Sequence, residues 1–362
     1  MNRTAKLVVG VILAAGGSIS VGACESSDPG VVPGSEDGGV DGRVIGPDGE
    51  TLDPETGLPV EAGVLPDGAP VGEGGVTGTS CAGLAATCGG ANSCCDATTV
   101  TGGTFNRSND PGFPATISTF KLDVYEVTVG RFRAFVNAGR GTQAGAPAVG
   151  EGAHPKIAGS GWDASFTASL AATTADMKTE LKCDPAYPAW TDAPAGNENR
   201  PINCVTWFEA AAFCAWDGGR LPTEAEWNYA AAGGSDQREY PSGATLDQAK
   251  ASFDCAGDGS GTGTANCAFS DLLPVGSKPG GIGKYGQHDL AGNAWEWTLD
   301  WSKNPYRLTS CVDCADLQAA SNKTFRGGGF PNEVFLLTSD TRLEDPPTDR
   351  DYDVGFRCAR SE

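Results

Sequence analysis

The sequence predicts an α+β domain with low regular secondary structure. Two short helices are predicted by capping boxes at Thr206-Trp-Phe-Glu209 and Thr223-Glu-Ala-Glu226, where Thr and Glu satisfy each other's free backbone amides. Residues 120–127 alternate apolar and polar side chains, as a half-buried strand does. The chain also contains 52 glycines and 23 prolines among 362 residues. Long stretches therefore show neither a helical nor a strand period.

Residues 1–23 have the features of an export signal. Arg3 and Lys6 precede an apolar run from Leu7 to Ile19, which is too short to span a bilayer. Small residues then lead to Cys24, as in the cleavage box of bacterial lipoproteins. We therefore expect Cys24 to be lipidated and to anchor the protein in the cell envelope; the alternative is an ordinary cleaved signal with a free Cys. Glu25, rather than Asp, favours the outer membrane by resemblance to such lipoproteins.

Residues 24–79 are predicted to form a disordered tether. The segment is rich in Gly and Pro and has twelve acidic residues against a single basic one, Arg43. It lacks the apolar surface needed to offset chain entropy, and its like charges extend it. The whole chain has a net charge of −21. This charge excludes nucleic acid and anionic lipid surfaces as partners, so membrane contact is expected through the lipid anchor only.

The cysteines indicate an oxidising compartment. Thirteen are present, and removing the lipidated Cys24 leaves an even number, which predicts disulfides in an exported chain. Four of them fall within residues 80–101, which we predict to be a Cys-rich cap, with the adjacent Cys94 and Cys95 bonded to different partners. A zinc site that includes Cys311-Val-Asp-Cys314 is the alternative, although the regular spacing of zinc ligands is absent. The sequence leaves open the pairing of eight cysteines: Cys81, Cys88, Cys94, Cys95, Cys183, Cys204, Cys311 and Cys314.

The main domain is predicted to cover residues 102–362. After the strand, Thr128 caps a helix whose apolar residues recur at helical spacing from Val129 to Val136. Residues 139–199 are predicted to be loops with one short helix near 168–181. The two capped helices follow and end at glycine pairs, Gly218-Gly219 and Gly233-Gly234. A Gly-rich excursion then runs to Val275, with Cys255 and Cys267 expected to pair.

Candidate metal ligands and aromatic side chains lie close together in one central stretch, Gly286-Gln-His-Asp-Leu-Ala-Gly-Asn-Ala-Trp-Glu-Trp297. Asp289, Asn293 and Glu296 supply oxygens, and the glycines allow tight turns that point carbonyls inward. Oxygen ligands on an irregular loop suit a hard cation such as Ca²⁺. The alternative from spacing alone is a Trp-rich core turn whose polar groups satisfy one another.

Five motifs in one order resemble the formylglycine-generating enzyme family, also called the sulfatase-modifying-factor family. The resemblance runs from about Gly102 to the C-terminus. The motifs are Asp123-Val-Tyr-Glu-Val-Thr128, Arg200-Pro-Ile-Asn-Cys-Val-Thr-Trp207, Gly219-Arg-Leu-Pro-Thr-Glu-Ala-Glu-Trp227, the central stretch, and Gly355-Phe-Arg-Cys358. The resemblance implies a variant of the C-type lectin fold and, in active members, oxidation of a substrate Cys.

Two structural features are implied by this resemblance. One is a disulfide between Cys214 and Cys358, because the corresponding cysteines are bonded in relatives. The other is a structural Ca²⁺ site, since the family's ligands fall on Asp289, Gly292, Ala294 and Glu296. A second family Ca²⁺ site is expected between Ser252 and Asp271, without a residue-by-residue alignment.

The match fails at the catalytic centre of the family. Active members place two Cys, five residues apart, shortly after a motif resembling Arg326-Gly-Gly-Gly-Phe330, and these thiolates bind Cu(I). Here Asn332 falls at the first position and Leu337 near the second, and no Cys occurs between Cys314 and Cys358. The sequence therefore predicts that no catalytic Cys pair is present and that copper is not a cofactor.

Two classes of function remain open. The first is a non-catalytic module that binds a protein, peptide or glycan at the cell surface or in the periplasm. The second is an oxidoreductase of the sulfatase-modifying type with an altered metal site. An iron site would need both His154 and His288, the only histidines in the chain. A nucleophile at Thr338 or Ser339 beside Asp340 lacks a positioned His.

Overall fold

The computed structural model describes residues 78–82, 84, 87–88, 93–260 and 267–362, together with two short strands nearer the N-terminus. The predicted signal peptide, Cys24 and most of the predicted tether lie outside the described residues. Within the described part of the chain, no helix combines the length and apolar character needed to cross a membrane.

The chain divides into two compact units, residues 1–60 and 61–362. In the first unit, strands β1 (Val44–Ile45) and β2 (Thr51–Leu52) pair antiparallel. This short ladder lies within the segment for which the sequence predicts disorder.

The second unit combines four α-helices with three small sheets in its described residues, as an α+β domain with low regular secondary structure should. The helices are α1 (Val129–Asn137), α2 (Thr174–Glu180), α3 (Trp207–Trp216) and α4 (Glu224–Ala231). The strands are β3 (Ala97–Val100), β4 (Gly103–Asn106), β5 (Pro114–Ile117), β6 (Phe120–Asp123), β7 (Trp295–Trp301), β8 (Cys311–Val312), β9 (Lys323–Arg326), β10 (Arg342–Asp345), β11 (Val354–Gly355) and β12 (Ala359–Ser361). Their orders are β10-β9-β7-β11, β12-β6-β3 and β4-β5-β8.

Local sequence signals locate the helices correctly. Thr128 accepts a hydrogen bond from the backbone N–H of Arg131, and both predicted capping boxes are formed. The short helix expected near residues 168–181 is α2. The predicted strand at 120–127 is shorter than expected, because after Asp123 the backbone bonds singly to Asp96 and Phe356 rather than along one ladder.

The central stretch differs from the prediction of a loop or turn, because its last residues begin β7. This strand pairs antiparallel with β9 and parallel with β11, which makes it an inner strand of its sheet. Side chains alternate along a strand, so Trp295 and Trp297 share one face and both contact the ring of Phe325. Glu296 lies on the opposite face.

The described cysteines form six disulfides. Cys81–Cys95 and Cys88–Cys94 lie in the predicted cap, so the adjacent Cys94 and Cys95 do have different partners. Cys255–Cys267 pairs as the sequence predicts, and Cys214–Cys358 is the pair implied by the family resemblance. The remaining four cysteines, whose pairing the sequence left open, form the bonds Cys183–Cys204 and Cys311–Cys314. The zinc interpretation of the last pair is wrong, since its two sulfurs bond to each other.

Candidate functional site

Glu296 and Arg357 form a fully buried ion pair at the centre of the domain. Arg357 Nε lies 2.7 Å from Glu296 Oε2, and its Nη2 lies 2.7 Å from Oε1. The indole N–H of Trp227 also donates to Oε2, at 2.8 Å. The remaining guanidinium hydrogens reach the carbonyls of Asp123, Val124 and His288. The pair therefore joins β7, α4, β6 and the central stretch.

Two further carboxylates approach this ion pair. Glu126 Oε1 accepts from the backbone N–H of Ala294 at 2.9 Å, and Oε2 accepts from Asn293 Nδ2 at 2.8 Å. Asp289 Oδ2 accepts from the backbone N–H of Gly276 at 2.6 Å. We call Glu126, Asp289 and Glu296 the central carboxylates. The sequence alone predicts no role for Glu126, although it lies in the motif Asp123-Val-Tyr-Glu-Val-Thr128.

Gly292 is required by a close approach within the central stretch. Its φ is +80°, and a Cβ at this position would lie 2.3 Å from the carbonyl oxygen of Ser252. The next residue, Asn293, donates its backbone N–H to that same oxygen at 2.9 Å. A side chain at residue 292 would therefore displace the segment that presents Asn293 and Ala294 to Glu126.

Burial raises the pKa of all three central carboxylates. For Glu126 the rise is large, because Asp289 and Glu296 add like-charge repulsion to the cost of burial. The pKa of Asp289 rises to about 6 and that of Glu296 also rises, although Arg357 opposes both changes. The neighbouring His288 has its pKa lowered to about 4 by burial and by Arg357, so it is neutral. Three carboxyl groups thus face one guanidinium, and burial together with their mutual repulsion favours their protonated forms; a divalent cation bound beside them would favour the charged forms instead.

The predicted Ca²⁺ ligands fit the ion in charge but not fully in geometry. Glu296 already directs both oxygens at Arg357 and Trp227. Within the described residues, no group of three or more His, Cys, Asp and Glu side chains surrounds a metal position. The second Ca²⁺ site was expected between Ser252 and Asp271, and both of these residues have local partners. Ser252 Oγ donates to the carbonyl of Asp271, and the Asp271 carboxylate accepts from the backbone N–H groups of residues 258 and 268. Asp289 and the two carbonyls at 292 and 294 remain the ligands to test.

The segment after β9 is fixed at its end by a second buried ion pair. Arg326 binds Glu224, the first residue of α4, and donates to the carbonyls of Ser339 and Thr341 at 3.1 and 2.9 Å. Both charged side chains are at most 3% exposed. The start of α4, the end of β9 and residues 339–341 therefore hold one another in place.

Asn332 and Leu337 both serve local structure. Asn332 Oδ1 accepts from the backbone N–H of Gly329 at 2.7 Å, and its carbonyl accepts from the backbone N–H of Asp254 at 2.8 Å. Leu337 is fully buried in an apolar cluster with Tyr240, Ala251, Phe253 and Ala291. Between them, Val334 and Phe335 are 37% and 52% exposed. Val334–Leu336 form a short 3₁₀ turn, so the segment carries two exposed apolar side chains between the two anchored residues.

The other candidate catalytic groups are engaged elsewhere. Ser339 Oγ donates to the carbonyl of Arg238, and the hydroxyl groups of Thr338 and Thr341 bond to each other at 2.7 Å. His154 Nε2 lies 3.4 Å from a carboxylate oxygen of Glu226, whereas the ring of His288 packs against Tyr125. The two histidines therefore have separate partners, and the arrangement supports neither an iron triad nor an activated hydroxyl.

Residues 86–362 match the family model described as the sulfatase-modifying factor enzyme 1-like domain. The chain belongs to this family. The formylglycine-generating enzyme of Thermomonospora curvata is 31% identical over 293 residues, covering 72% of this chain and 91% of the relative. The inactive C-alpha-formylglycine-generating enzyme 2 of Mus musculus is 29% identical over 271 residues, covering 69% of this chain and 78% of the relative.

A solved structure supports the sulfatase-modifying-factor-like fold. PvdO from Pseudomonas aeruginosa aligns with a TM-score of 0.51 and 23% identity, covering 74% of this chain and 94% of that chain. The fold class and family expected from the five motifs are confirmed, and the fold is consistent with a C-type-lectin-like variant. Family members bearing the names of active and inactive enzymes are similar to this chain to nearly the same degree.

The buried carboxyl group of Asp300, which caps the start of α4, makes the stability of this sulfatase-modifying-factor-like domain depend on pH. Asp300, on β7, accepts from the backbone N–H groups of Glu224 and Asp316 at 2.8 and 2.6 Å. Burial first, and then the charge of Glu224, raise its pKa to about 7. Because the folded pKa exceeds the unfolded value, its contribution is full below about pH 4 and is lost as the pH rises to about 7.

We therefore expect the wild type to lose stability relative to Asp300→Asn as the pH rises from 4 to 7. The slope of that loss should approach about 1.4 kcal/mol for each pH unit inside that window. Urea unfolding of both proteins at several pH values measures it. Parallel stability curves across the window would contradict the assignment to Asp300.

Proposed function

We propose that this protein is a surface or periplasmic lipoprotein whose sulfatase-modifying-factor-like domain is a non-catalytic binding module stabilised by Ca²⁺. The observation that carries the proposal is the structural role of Asn332 and Leu337, the residues that the resemblance places at the family's Cys positions. Asn332 caps a turn through Gly329, and Leu337 fills an apolar cluster. Neither side chain offers a soft thiolate for Cu(I), and each has a structural role that explains its presence.

The ligand is proposed to be a protein, a peptide or a glycan. The side chains of Val334 and Phe335 lie between the two substituted positions and are exposed. Exposed apolar side chains on a loop are typical of a contact surface. The six disulfides suit an oxidising compartment, and the predicted lipid anchor at Cys24 with its acidic tether would present the domain away from the membrane.

Copper binding and catalysis provide the direct test. We expect the purified, oxidised protein to show no stoichiometric Cu(I) binding in a competition titration. We also expect no conversion of Cys to formylglycine in a substrate peptide, followed by mass spectrometry. The formylglycine-generating enzyme of Thermomonospora curvata is the positive control in the same assay. Tight one-to-one binding of copper or iron, or turnover of the peptide, would overturn the non-catalytic proposal in favour of an oxidoreductase with an altered metal site.

We further propose that Ca²⁺ is held by Asp289 and the carbonyls of Gly292 and Ala294. Glu296 would join them by sharing its carboxylate between the ion and Arg357. The grouping of three buried carboxyl groups around a single guanidinium, with the pKa of each raised, supports this proposal. Ca²⁺ prefers oxygen ligands from carboxylates and carbonyls, and it would convert mutual repulsion among the central carboxylates into attraction.

We expect saturating Ca²⁺ to raise the melting temperature of the wild type by about 5–10 °C relative to a chelator, for a concentration near 100 times the Kd. Asp289→Asn should lose most of that shift, while Asp247→Asn, a matched exposed Asp, should keep it. Calorimetry with and without the ion gives both numbers. An unchanged melting temperature in millimolar Ca²⁺ would contradict the calcium proposal and leave the copper test unaffected.

A further inference from the structure

Cys311–Cys314 differs from the other five disulfides in how little chain it encloses. Its cysteines are 3 residues apart, whereas the others are separated by 6 to 144 residues. A crosslink restrains the unfolded chain less as the loop it closes becomes shorter. This pair is therefore the one whose presence is least explained by stability.

A buried arginine contacts one sulfur of this pair. Arg107 is 4% exposed, and its Nη1 lies 3.9 Å from Cys314 Sγ. Its Nη2 donates to the carbonyl of Leu308, and its guanidinium stacks on the ring of Tyr306 at 4.3 Å. Arg107 Nε has no hydrogen-bond partner within the described residues. A fixed cation at this distance favours the thiolate form of a cysteine in a Cys-X-X-Cys motif.

The other sulfur belongs to Cys311, which is 5% exposed and forms part of the wall of a groove. Cys311 contributes to a groove of about 470 Å³ whose polar lining includes Thr104, Asn106, Thr116 and Gln237. It lies on β8, which pairs with β5 on one side only and is an edge strand. Val312, between the two cysteines, is 73% exposed. An edge strand with an exposed apolar side chain offers an extended peptide both backbone hydrogen bonds and a contact.

The acidic residue inside the motif does not oppose a thiolate. Asp313 lies 3.2 Å from Lys156 Nζ, and its carboxylate accepts from the backbone N–H and the hydroxyl of Ser118 at 2.7 Å each. Its charge is therefore compensated by Lys156 and by two hydrogen bonds from Ser118. The nearby Asp316 is likewise paired, at 2.8 Å from Arg307 Nε.

We propose that Cys311–Cys314 is a thiol–disulfide exchange centre that oxidises pairs of cysteine thiols in an extended peptide. A substrate thiolate, entering through the groove, attacks Cys311 Sγ. A bond forms between the two sulfurs, the Cys311–Cys314 bond breaks, and Cys314 leaves as a thiolate stabilised by Arg107. A leaving thiol with a lowered pKa departs faster. This exchange takes place at a different site from residues 332–337, so it does not depend on the proposal that those residues lack copper-dependent catalysis; it adds a redox activity to the proposed binding module.

The second step completes the exchange. The second substrate thiolate attacks the substrate sulfur of the mixed disulfide, and Cys311 leaves as a thiolate. The peptide loses two electrons and gains a disulfide, the protein gains two thiols, and the two substrate protons pass to solvent or to the new thiolates. The peptide dithiol is the only co-reactant in one turnover.

A single-turnover experiment with the full chain tests the proposal. The oxidised protein is mixed with one equivalent of a reduced peptide containing two cysteines, and free thiols are mapped by differential alkylation and mass spectrometry. We expect one peptide disulfide per chain, with both new thiols on Cys311 and Cys314 and the other disulfides intact. New thiols at another pair, or equal oxidation of the peptide by Cys311→Ser/Cys314→Ser, would overturn it.

Variants at Arg107 test its role separately from folding. Arg107→Gln should slow the exchange about tenfold, and Arg107→Lys, which keeps the charge, should restore part of the rate. Arg140→Gln, at an exposed arginine, is the matched control. In the reduced protein, alkylation of Cys314 against pH should give a pKa below about 8.5 that rises in Arg107→Gln. Identical rates and alkylation profiles in the wild type and Arg107→Gln would refute the role of Arg107.

Discussion

Replacing Arg357 with alanine is expected to lower the free energy of unfolding by about 3–5 kcal/mol, or to prevent folding altogether. The guanidinium is fully buried and is the counter-charge of Glu296. Its removal would leave three buried carboxylates without a cation and would remove the guanidinium donor from three carbonyls, of which that of Val124 still accepts from the backbone N–H of His288. Breaking one partner of a buried pair costs more than the pair itself contributes, because the other charge stays buried and uncompensated.

Chemical denaturation measures this loss, and two further variants interpret it. Arg140→Ala, at an exposed arginine, should change the free energy by less than about 0.5 kcal/mol. Adding Glu296→Gln to Arg357→Ala should recover part of the loss, since the amide removes one charge while its oxygen can still accept from Trp227. If Arg357→Ala lowered the free energy of unfolding by less than about 1 kcal/mol, the ion pair would not be a major contribution to the stability of the domain.

Removing the Cys214–Cys358 disulfide as Cys214→Ala/Cys358→Ala is expected to cost about 5 kcal/mol. The two cysteines are 144 residues apart, so the bond strongly restricts the unfolded chain. Both residues are fully buried, and the bond joins α3 to the segment between β11 and β12. Denaturant unfolding of the double variant, compared with the wild type under oxidising conditions, gives the cost.

The matched control is Cys183→Ala/Cys204→Ala, whose bond closes a separation of 21 residues. Its expected cost is about 3 kcal/mol on the same entropic scale, and that of Cys311→Ser/Cys314→Ser about 2 kcal/mol. The order of the three costs is the decisive result. An equal cost for all three pairs would show that native packing, rather than chain entropy, determines what these bonds contribute.

Features encoded by neighbouring residues could be predicted from the sequence. The starts of α1, α3 and α4 each depend on a Thr and on the backbone amide three residues away, so the signal and its partner lie in one short segment. The Cys255–Cys267 bond is local in the same sense. The five motifs identified the family for a related reason, because their order and spacing are sequence properties.

Features that depend on distant partners could not be predicted in this way. The central stretch was interpreted as a loop because only three residues, Trp295 to Trp297, show the alternation of a strand. Its strand character comes from pairing with β9 and β11. The role of Glu126 likewise depends on Asn293, which is 167 residues away in the chain. No local pattern marks a carboxylate as the partner of an amide that distant.

The sequence by itself determined the family, the helix starts and the absence of a Cys pair after Arg326, and its even set of cysteines predicts an oxidising compartment. Only the tertiary structure decided that Glu296 lies against Arg357, that Leu337 is a core residue, and that Arg107 contacts Cys314. The physical reason is the range of the interactions. Capping and composition act through adjacent backbone groups. Burial and charge compensation are fixed only when segments far apart in the chain pack together, as those of Glu296 and Arg357 do across 61 residues.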